Sequence, residues 1–367
     1  MKHTLLILLV CLTFAGFSQT TKVVITDIKP AYQGNKFPVV KSPEHPKIAE
    51  KINTFLQMKY LDHVPGIFKK HPFENVMYEP DAKRSYVFFF EWRRLKTPNN
   101  LLSIEIYGES TGAYPEAFTA YENFDLQTGD PILLNNIFNE SGALSMEKIL
   151  NQRIKKEITD YVVEIKATIK ENKKSTQDDT DQLDMYNECL DGIENNNMEY
   201  YSFYLEKDSI TFVRGRCSNH ALMAIDELGT FYERFSIKQL SGYLSSSGKK
   251  IINGSTEDKL ADTPAGKLFK GFINKKYAIT MLIEKIYPDG SLSAKYWYDK
   301  YKQPIELSGN FKNGRLKLSE EELHETTVPA VSVKAEISAN WINNKSILGT
   351  WKNIHTNQVS TLELSTY

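Results

Sequence analysis

The 367-residue sequence lacks an excess of either charge and, beyond its first 18 residues, lacks any long apolar run. It contains 45 Lys and Arg residues against 46 Asp and Glu residues, which gives a formal net charge of −1. A chain this close to neutral has no electrostatic field to attract a nucleic-acid backbone. A membrane-spanning helix needs about 20 consecutive, mostly apolar residues. These absences predict no nucleic-acid partner and no transmembrane segment in the mature chain.

The common catalytic signatures are also missing. Residues 108–112 match the letters Gly-x-Ser-x-Gly, but they lie in a predicted connection between two strands, whereas a nucleophile elbow joins a strand to a helix. There is no His-Glu-x-x-His zinc motif and no glycine-rich phosphate loop. The seven histidines are scattered, and His45, His63 and His71 match no usual metal-ligand spacing. We therefore predict no metal, no cofactor and no catalytic residue, which favours a binding protein. An enzyme stays the alternative, because catalytic groups distant in sequence can converge in space.

The N-terminus has the features of a signal peptide. Lys2 provides a basic start, residues 5–14 form an apolar run, and Gly16 and Ser18 are small residues at the cleavage positions. We therefore expect residues 1–18 to be removed before Gln19. The mature protein is then expected in the periplasm or outside the cell.

Cysteine is scarce, with three residues in the whole chain. Cys11 lies in the predicted signal peptide, so Cys189 and Cys217 remain after cleavage. An even pair in an exported chain favours a disulfide, because the compartment is oxidising. Two buried free thiols are the alternative.

Residues 104–138 combine strand periodicity with strong turn signals. Ile104 and Ile106 alternate as in a half-buried strand. Two glycines and a proline interrupt residues 108–115, which predicts a wide connection there. Residues 128–131, Thr-Gly-Asp-Pro, predict a tight turn.

Several motifs in and after this stretch resemble one family of bacterial envelope proteins. They are Gly-Ala-Tyr at 112–114, Tyr-x-Asn-Phe-Asp-Leu-x-Thr-Gly at 121–129, Leu-x-x-Ile-Phe at 134–138, Phe-Tyr-Leu-x-x-Asp-Ser-Ile at 203–210, and Phe-Ser-Ile-x-x-Leu-x-x-Tyr-Leu at 235–244. The family is the extracellular domain of lysozyme-sensing anti-sigma factors, which is also found beside some peptidoglycan deacetylase domains. The resemblance covers residues 23–246.

This resemblance implies a non-catalytic envelope protein that recognises a cell-wall component or a wall-degrading enzyme such as lysozyme. The family loop usually reads Gly-Gly-Ala-His, whereas this chain has Thr111, Gly112, Ala113 and Tyr114. A role that requires the family histidine is therefore not transferred. The metal ligands of the deacetylase domain have no counterpart in this sequence.

Periodicity predicts an α+β N-terminal domain over residues 19–246. Apolar residues recur at helical spacing in residues 46–61 and 143–170, and strand patterns surround them. We expect these helices to cover an antiparallel sheet. The acidic residues 171–184 match no calcium-binding loop and are predicted to form a solvated loop.

The remaining chain predicts a linker and an all-β domain. Residues 247–264 are small, polar and glycine-bearing, as is typical of linkers. Residues 265–367 alternate between apolar and polar side chains over about eight short strands, with a hairpin signal at Asn313-Gly314. This pattern predicts a small barrel or a sandwich. A barrel of this size could carry one small ligand, although filling by side chains is more common.

Two loops are our candidates for a contact surface, because tyrosine and arginine are enriched at protein interfaces. The candidate residues are Thr111, Gly112, Tyr114 and Glu116 in the first loop, and Arg214, Arg216 and His220 in the second. An envelope glycan hydrolase or esterase is the alternative, with Glu105, Glu109 and Glu116 as its acidic groups.

Overall fold

The computed structural model describes residues 23–77, 86–98, 100–111, 114–172, 175–193, 196–253, 263–301, 303–324 and 330–367. The predicted signal peptide, residues 1–18, lies outside these ranges, as does its cleavage site before Gln19. No helix within the described ranges combines the length and the hydrophobicity needed to cross a membrane.

The N-terminal part of the chain is α+β, as predicted. Its three antiparallel sheets are a β1–β2 pair, a β3–β4–β5 sheet and a β6–β7–β8 sheet. The elements are β1 (Val24–Asp27), β2 (Pro38–Lys41), α1 (Pro46–Tyr60), β3 (Tyr86–Arg94), β4 (Leu101–Thr111), β5 (Pro115–Asp125), α2 (Leu134–Ile137), α3 (Glu140–Asn172), α4 (Gln177–Ile193), β6 (Ser202–Leu205), β7 (Ser209–Arg214), β8 (Phe231–Ser236), α5 (Ile237–Leu240) and α6 (Ser246–Asn253).

Helix α1 covers one face of the β3–β4–β5 sheet. Proline at the first helical position starts the helix without losing an intrahelical hydrogen bond. Phe55 of α1 meets Phe124 of β5 edge to face, with ring centroids 5.5 Å apart. Ile104 and Ile106 of β4 are fully buried in the same core. Their alternation in the sequence therefore identifies the face of β4 that packs against α1.

Helix α3 covers the second sheet, β6–β7–β8. Ile154 and Ile158 of α3 are fully buried in one core with Phe212 of β7 and Phe235 of β8. Arg153, on the same helix, lies over the Phe235 ring with its guanidinium carbon 4.2 Å from the centroid. The apolar stripe predicted for this helix is thus the surface that packs on the sheet.

Residues 177–193 form helix α4, although we expected a solvated loop through residue 184. Thr176 and Asp179 form reciprocal hydrogen bonds at the start of the helix: the Thr176 N–H donates to Asp179 Oδ2 (2.7 Å) and the Asp179 N–H donates to Thr176 Oγ1 (3.2 Å). This arrangement is a capping box. Only Met185, Tyr186 and Ile193 are buried along the helix. The acidic residues therefore belong to an exposed helix face, which left a weak apolar pattern in the sequence.

The connection between β4 and β5 is shorter than predicted. Strand β4 continues to Thr111 and β5 begins at Pro115, so residues 108–111 are not part of a wide loop. Gly108 pairs directly with Phe118, and a Cβ atom on Gly108 would lie 2.3 Å from Phe118 Cζ. The glycine therefore makes room for an aromatic ring and does not mark a turn.

The C-terminal part is a closed barrel of eight antiparallel strands, in which each strand pairs with its sequence neighbours and β16 pairs with β9. The strands are β9 (Leu268–Ile273), β10 (Tyr277–Ile286), β11 (Ser291–Tyr298), β12 (Pro304–Lys312), β13 (Arg315–His324), β14 (Ala330–Ile342), β15 (Ser346–Asn353) and β16 (Val359–Thr366). Asn313 and Gly314 have φ values of 52° and 74°, as the predicted two-residue hairpin requires. The barrel alternative of our prediction is therefore the correct one.

The outside of the barrel packs against the α1 core. Leu282 and Trp297 are fully buried and Leu268 nearly so, and all three belong to the same apolar cluster as α1 and its sheet. An aromatic side chain of this size contributes strongly to packing when it is fully removed from water. The barrel is consequently fixed to the N-terminal part of the chain by apolar packing.

A buried lysine lies at the same junction. Lys295 Nζ is 2.9 Å from Asp62, 3.3 Å from Glu284 and 3.7 Å from Glu306. Burial alone would lower the pKa of Lys295, but the three carboxylates outweigh it and raise the pKa above its usual value. Asp62 comes from the N-terminal part and the two glutamates from the barrel, so the lysine ties the two parts together.

Helix α6 occupies the start of the segment predicted as a linker, residues 247–264. Ile251 is buried, and a Cβ atom on Gly248 would lie 2.0 Å from the carbonyl oxygen of Ile137 in α2. The helix backbone thus approaches α2 as closely as a glycine permits. Residues 254–262 of the segment lie outside the described ranges.

We predict that Gly248→Ala will destabilise the protein by about 1–3 kcal/mol, because the added methyl group would force α6 away from a backbone atom. Gly192→Ala is the matched control, since a Cβ atom there would meet nothing within 4 Å. Urea unfolding of both variants measures the difference. If Gly248→Ala is as stable as Gly192→Ala, α6 is not packed on α2 in solution.

Candidate functional site

The amide side chain of Asn123 forms buried hydrogen bonds between the two sheets of the N-terminal part, next to a contact between the Tyr121 and Tyr204 rings. Asn123 of β5 donates from Nδ2 to the Phe203 carbonyl (2.9 Å) and accepts from the Leu205 N–H at Oδ1 (3.1 Å). Ser103 of β4 donates to the same Oδ1 atom at 2.6 Å. Asn123 and Ser103 are both buried. The Asn123 amide therefore supplies hydrogen-bond partners for the Phe203 carbonyl and the Leu205 N–H, two backbone groups at the edge of β6.

The turn after β5 explains the rest of the Asn-Phe-Asp-Leu-x-Thr-Gly motif. Asp125 accepts from the Gln127 N–H at 2.8 Å and from Thr128 Oγ1 at 3.4 Å. Gly129 has φ 73°, and its N–H donates to the Asp125 carbonyl at 2.7 Å. Burial is the main cause that raises the pKa of Asp125 above its usual value. Each polar residue of the motif is thus engaged in local structure.

The tip of the β4–β5 hairpin meets the loop after β7. The Tyr114 and His220 rings are stacked, with centroids 5.1 Å apart and planes 10° from parallel. Arg216 Nη2 donates to Glu116 Oε1 at 2.7 Å. Four of the residues predicted from the sequence therefore lie together. We call this group the Tyr114 surface and define it as Tyr114, Glu116, Arg216 and His220.

The Tyr114 surface contains two polar atoms that lack partners among the described residues. Arg216 Nε and His220 Nδ1 are both buried, and neither has a hydrogen-bond partner there. Tyr114, in contrast, is 65% exposed. A buried donor without an acceptor is costly, and such groups concentrate where a structure has a further role.

Helix α4 holds the loop that carries Arg216 and His220. Cys189 of α4 and Cys217 of the loop are joined in a disulfide, with Cα atoms 5.5 Å apart. Gln182, also on α4, donates to the Ile225 carbonyl at 2.6 Å. The loop is therefore attached to the helix both covalently and through hydrogen bonds.

Asp226 is the polar centre of that loop. It accepts from the Tyr186 hydroxyl at 2.8 Å, the Ser218 N–H at 2.9 Å and the Gly229 N–H at 3.1 Å. Burial works to raise the pKa of Asp226, but these hydrogen bonds outweigh it and hold the pKa below its usual value. An ionised Asp226 thus keeps the loop closed on itself and on α4.

Arg214, another residue predicted for the contact surface, is turned inward. Its Nη1 and Nη2 atoms lie 3.6 and 3.7 Å from Cys189 Sγ, and its guanidinium carbon lies 5.8 Å from the Phe231 ring centroid. Burial lowers the pKa of Arg214 from its usual value. Thr111 ends strand β4, and Gly112 lies outside the described ranges.

The acidic groups of the hydrolase alternative do not come together. Glu105 and Glu109 are four residues apart on β4, so their Cα atoms are separated by about 13 Å. Tyr107 lies between them on the same strand face and donates from its hydroxyl to Glu109 at 3.1 Å. Glu116 pairs with Ser110 across the hairpin, which places it on the opposite face from Glu109. Glu105 is also bound to Arg93 at 2.5 Å. Among the described residues, no three His, Cys, Asp or Glu side chains are placed to hold a metal ion.

Tyr114 and Arg216 are predictable from the sequence as contact residues, but the residues that position them are not. The roles of Asn123 and Asp226 depend on backbone groups from β6 and from the loop itself, which no spacing in the sequence reveals. The signal that the sequence does contain is the position of Asn123 within the Tyr-x-Asn-Phe-Asp-Leu-x-Thr-Gly motif.

We predict that Asn123→Leu will destabilise the protein by about 2–4 kcal/mol, because it leaves the Phe203 carbonyl, the Leu205 N–H and the Ser103 hydroxyl without partners. Thermal unfolding measures the loss. Asn340→Leu, at an exposed position of strand β14, is the control for a polar-to-apolar change within a strand. A stable Asn123→Leu protein would mean that the two sheets are joined by other contacts.

We also predict that replacing both Cys189 and Cys217 with serine will cost about 3–4 kcal/mol, the entropy of closing a loop of this length in the unfolded chain. The two cysteines are 28 positions apart. Hydrogen exchange in residues 215–229 should rise more than in the barrel. Unchanged exchange in the loop would show that Asp226 alone is sufficient to hold it.

No protein-family model matches the chain, and no curated protein matches its sequence. Weak similarity is found to solved structures, of which two are described. A DUF3298-family protein from Bacteroides fragilis is 16% identical, aligns with 65% of this chain and 99% of its own length, and has a TM-score of 0.38. A DUF3298-family protein from Pseudomonas aeruginosa is 12% identical, aligns with 62% and 94%, and has a TM-score of 0.31. The resemblance to anti-sigma factors and deacetylases is not confirmed by these similarities and stays a prediction.

Proposed function

We propose that this protein is a non-catalytic exported protein of the bacterial envelope that binds a cell-wall component or a wall-degrading enzyme such as lysozyme. The observation that carries the proposal is the Tyr114 surface. Glu116 and Arg216 are 100 positions apart in the sequence and are joined by an ion pair beside an exposed aromatic stack. Convergence of two loops on one exposed surface is typical of binding sites.

The chemistry of the Tyr114 surface supports binding. Tyrosine and arginine combine apolar area with directed hydrogen bonds, and they dominate the energetics of many interfaces. One face of the Tyr114 ring lies on His220, so the ring is held while most of its surface stays exposed. A partner that stacks on this ring does not have to order it first, which reduces the entropy cost of binding.

The attachment of the second loop supports a preformed site. The Cys189–Cys217 disulfide and the Asp226 hydrogen bonds restrict the backbone on both sides of His220. A disulfide of this kind also supports export, because such bonds persist in oxidising compartments. Removal of residues 1–18 before Gln19 is part of the same proposal.

We further propose that residues 19–246 act as the binding domain and residues 265–367 as a supporting domain. The Tyr114 surface draws all four residues from the first range. The barrel interior is occupied by buried side chains, including Phe269, Met281 and Tyr296. A role as a small-ligand carrier therefore finds less support than binding at the Tyr114 surface.

We predict that the Tyr114→Ala/Arg216→Ala double variant will bind its partner at least about 30-fold more weakly, as expected when central aromatic and arginine contacts are removed. The measurement is saturation binding of the mature protein to purified peptidoglycan and to lysozyme, in parallel. The free energy of unfolding should change by no more than about 1 kcal/mol, because Tyr114 is 65% exposed and Glu116, which loses its partner, is 54% exposed and is solvated by water.

Tyr301→Ala is the matched control, since Tyr301 lies on the barrel and is 65% exposed, like Tyr114. It should bind as the wild-type protein does. Equal affinity of the double variant and the wild-type protein would place the binding site elsewhere. Absence of binding to both peptidoglycan and lysozyme would overturn the proposed function.

A further inference from the structure

The Arg216–Glu116 pair uses only part of the arginine's hydrogen-bonding capacity. Glu116 accepts from Nη2, whereas the Nε–H of Arg216 has no acceptor among the described residues. A carboxylate that lies side-on to a guanidinium accepts from Nε and Nη2 together, which is the stronger, bidentate arrangement. The present contact is therefore weaker than the one that Arg216 can form.

The glutamate is also easily exchanged. The Glu116 side chain is 54% exposed, so water solvates it readily when it leaves the pair. The Arg216 side chain is only 22% exposed and depends more on a partner. Exposed ion pairs contribute little stability, because solvent and salt screen them. An incoming anion would thus replace Glu116 at Arg216 at small cost.

The charge that remains after such an exchange is positive. The loop after β7 carries two more acidic side chains: Glu227 is exposed and lies near Tyr161 of α3, and Asp226 is engaged by the Tyr186 hydroxyl and by the Ser218 and Gly229 N–H groups. Its hydrogen bonds leave it directed into the loop and not towards Arg216. Moving Glu116 away therefore leaves a guanidinium beside an open aromatic ring.

An aromatic face beside a guanidinium fits a ring-shaped ligand that carries a carboxylate. Tyr114 stacks on His220 through one face and is 65% exposed, so its other face can receive the apolar side of a sugar ring. We propose that Glu116 is an internal stand-in for the carboxylate of a ligand, and that the Tyr114 surface binds a carboxylate-bearing amino sugar that displaces Glu116 from Arg216. This inference rests on the proposed function, of which it names the ligand class.

The test compares two sugars that share one ring and differ in a carboxylate. N-acetylmuramic acid carries a lactyl carboxylate and N-acetylglucosamine does not. By calorimetric titration, the wild-type protein should bind the acid at least about 10-fold more tightly, as expected for hydrogen bonds to a charged group. Glu116→Gln should bind the acid about two- to five-fold more tightly than the wild type, since the competing exposed ion pair is gone. Its affinity for the neutral sugar should not change.

Arg216→Lys separates charge from geometry. Lysine keeps the positive charge but lacks the planar guanidinium with its paired donors, so we expect the Arg216→Lys variant to bind the acid at least about 10-fold more weakly than the wild-type protein does.

Glu91→Gln is the matched control for Glu116→Gln. Glu91 forms an ion pair with Lys36 at 3.0 Å, and its side chain is 50% exposed, but it lies away from the Tyr114 surface. It should leave both sugar affinities unchanged.

Several outcomes would overturn the inference. One is equal affinity of the wild-type protein for the two sugars, or no binding of either. Another is a Glu116→Gln variant that binds the acid no better than the wild type does. If Glu116→Gln instead weakens lysozyme binding, Glu116 recognises a cationic partner and is not a stand-in.

The same experiments separate this inference from the proposed function. Peptidoglycan or lysozyme binding without discrimination between the sugars would keep the proposed function and reject the carboxylate site. Discrimination between the sugars without binding of peptidoglycan or lysozyme would keep the site and reject the envelope role.

Discussion

The buried amide of Asn123 is the contact on which the geometry of the Tyr114 surface depends. Edge strands expose backbone groups that must find partners when they are buried. Here β6 meets β5 through the Asn123 side chain, which supplies both a donor and an acceptor. Because these bonds are directional, they set how the β4–β5 hairpin lies along the second sheet. That placement brings the hairpin tip, with Tyr114, to the loop after β7.

Covalent and hydrogen-bonded contacts hold both loops that form the Tyr114 surface. The disulfide and Asp226 hold one loop on α4, while regular strand pairing holds the other up to Thr111. The barrel adds a second support through Trp297, which is fully buried against the α1 core, and through Lys295, whose charge is matched by carboxylates from both parts. Burying a charge is costly unless its partners are well placed, so this junction favours one arrangement.

The regular elements were predictable where apolar residues repeat at a constant interval. The eight barrel strands and the long helix α3 each have such a repeat over most of their length. Helix α4 was missed because only one side of it is buried and its capping residues, Thr176 and Asp179, lie within an acidic run. Gly108 has the sequence signal of a turn residue but serves close packing, because glycine permits both and the sequence alone does not distinguish them.

By itself, the sequence determined the α+β and all-β character of the two parts, the strand number of the barrel, and the residue types available to a contact surface. Those properties depend on local periodicity and on composition, which are complete within each segment. Only the tertiary structure shows that Tyr114 stacks on His220, that Arg216 donates to Glu116, and that Arg214 is turned inward. These contacts join groups far apart in the chain, and they follow from the angle between two sheets, which no local pattern encodes.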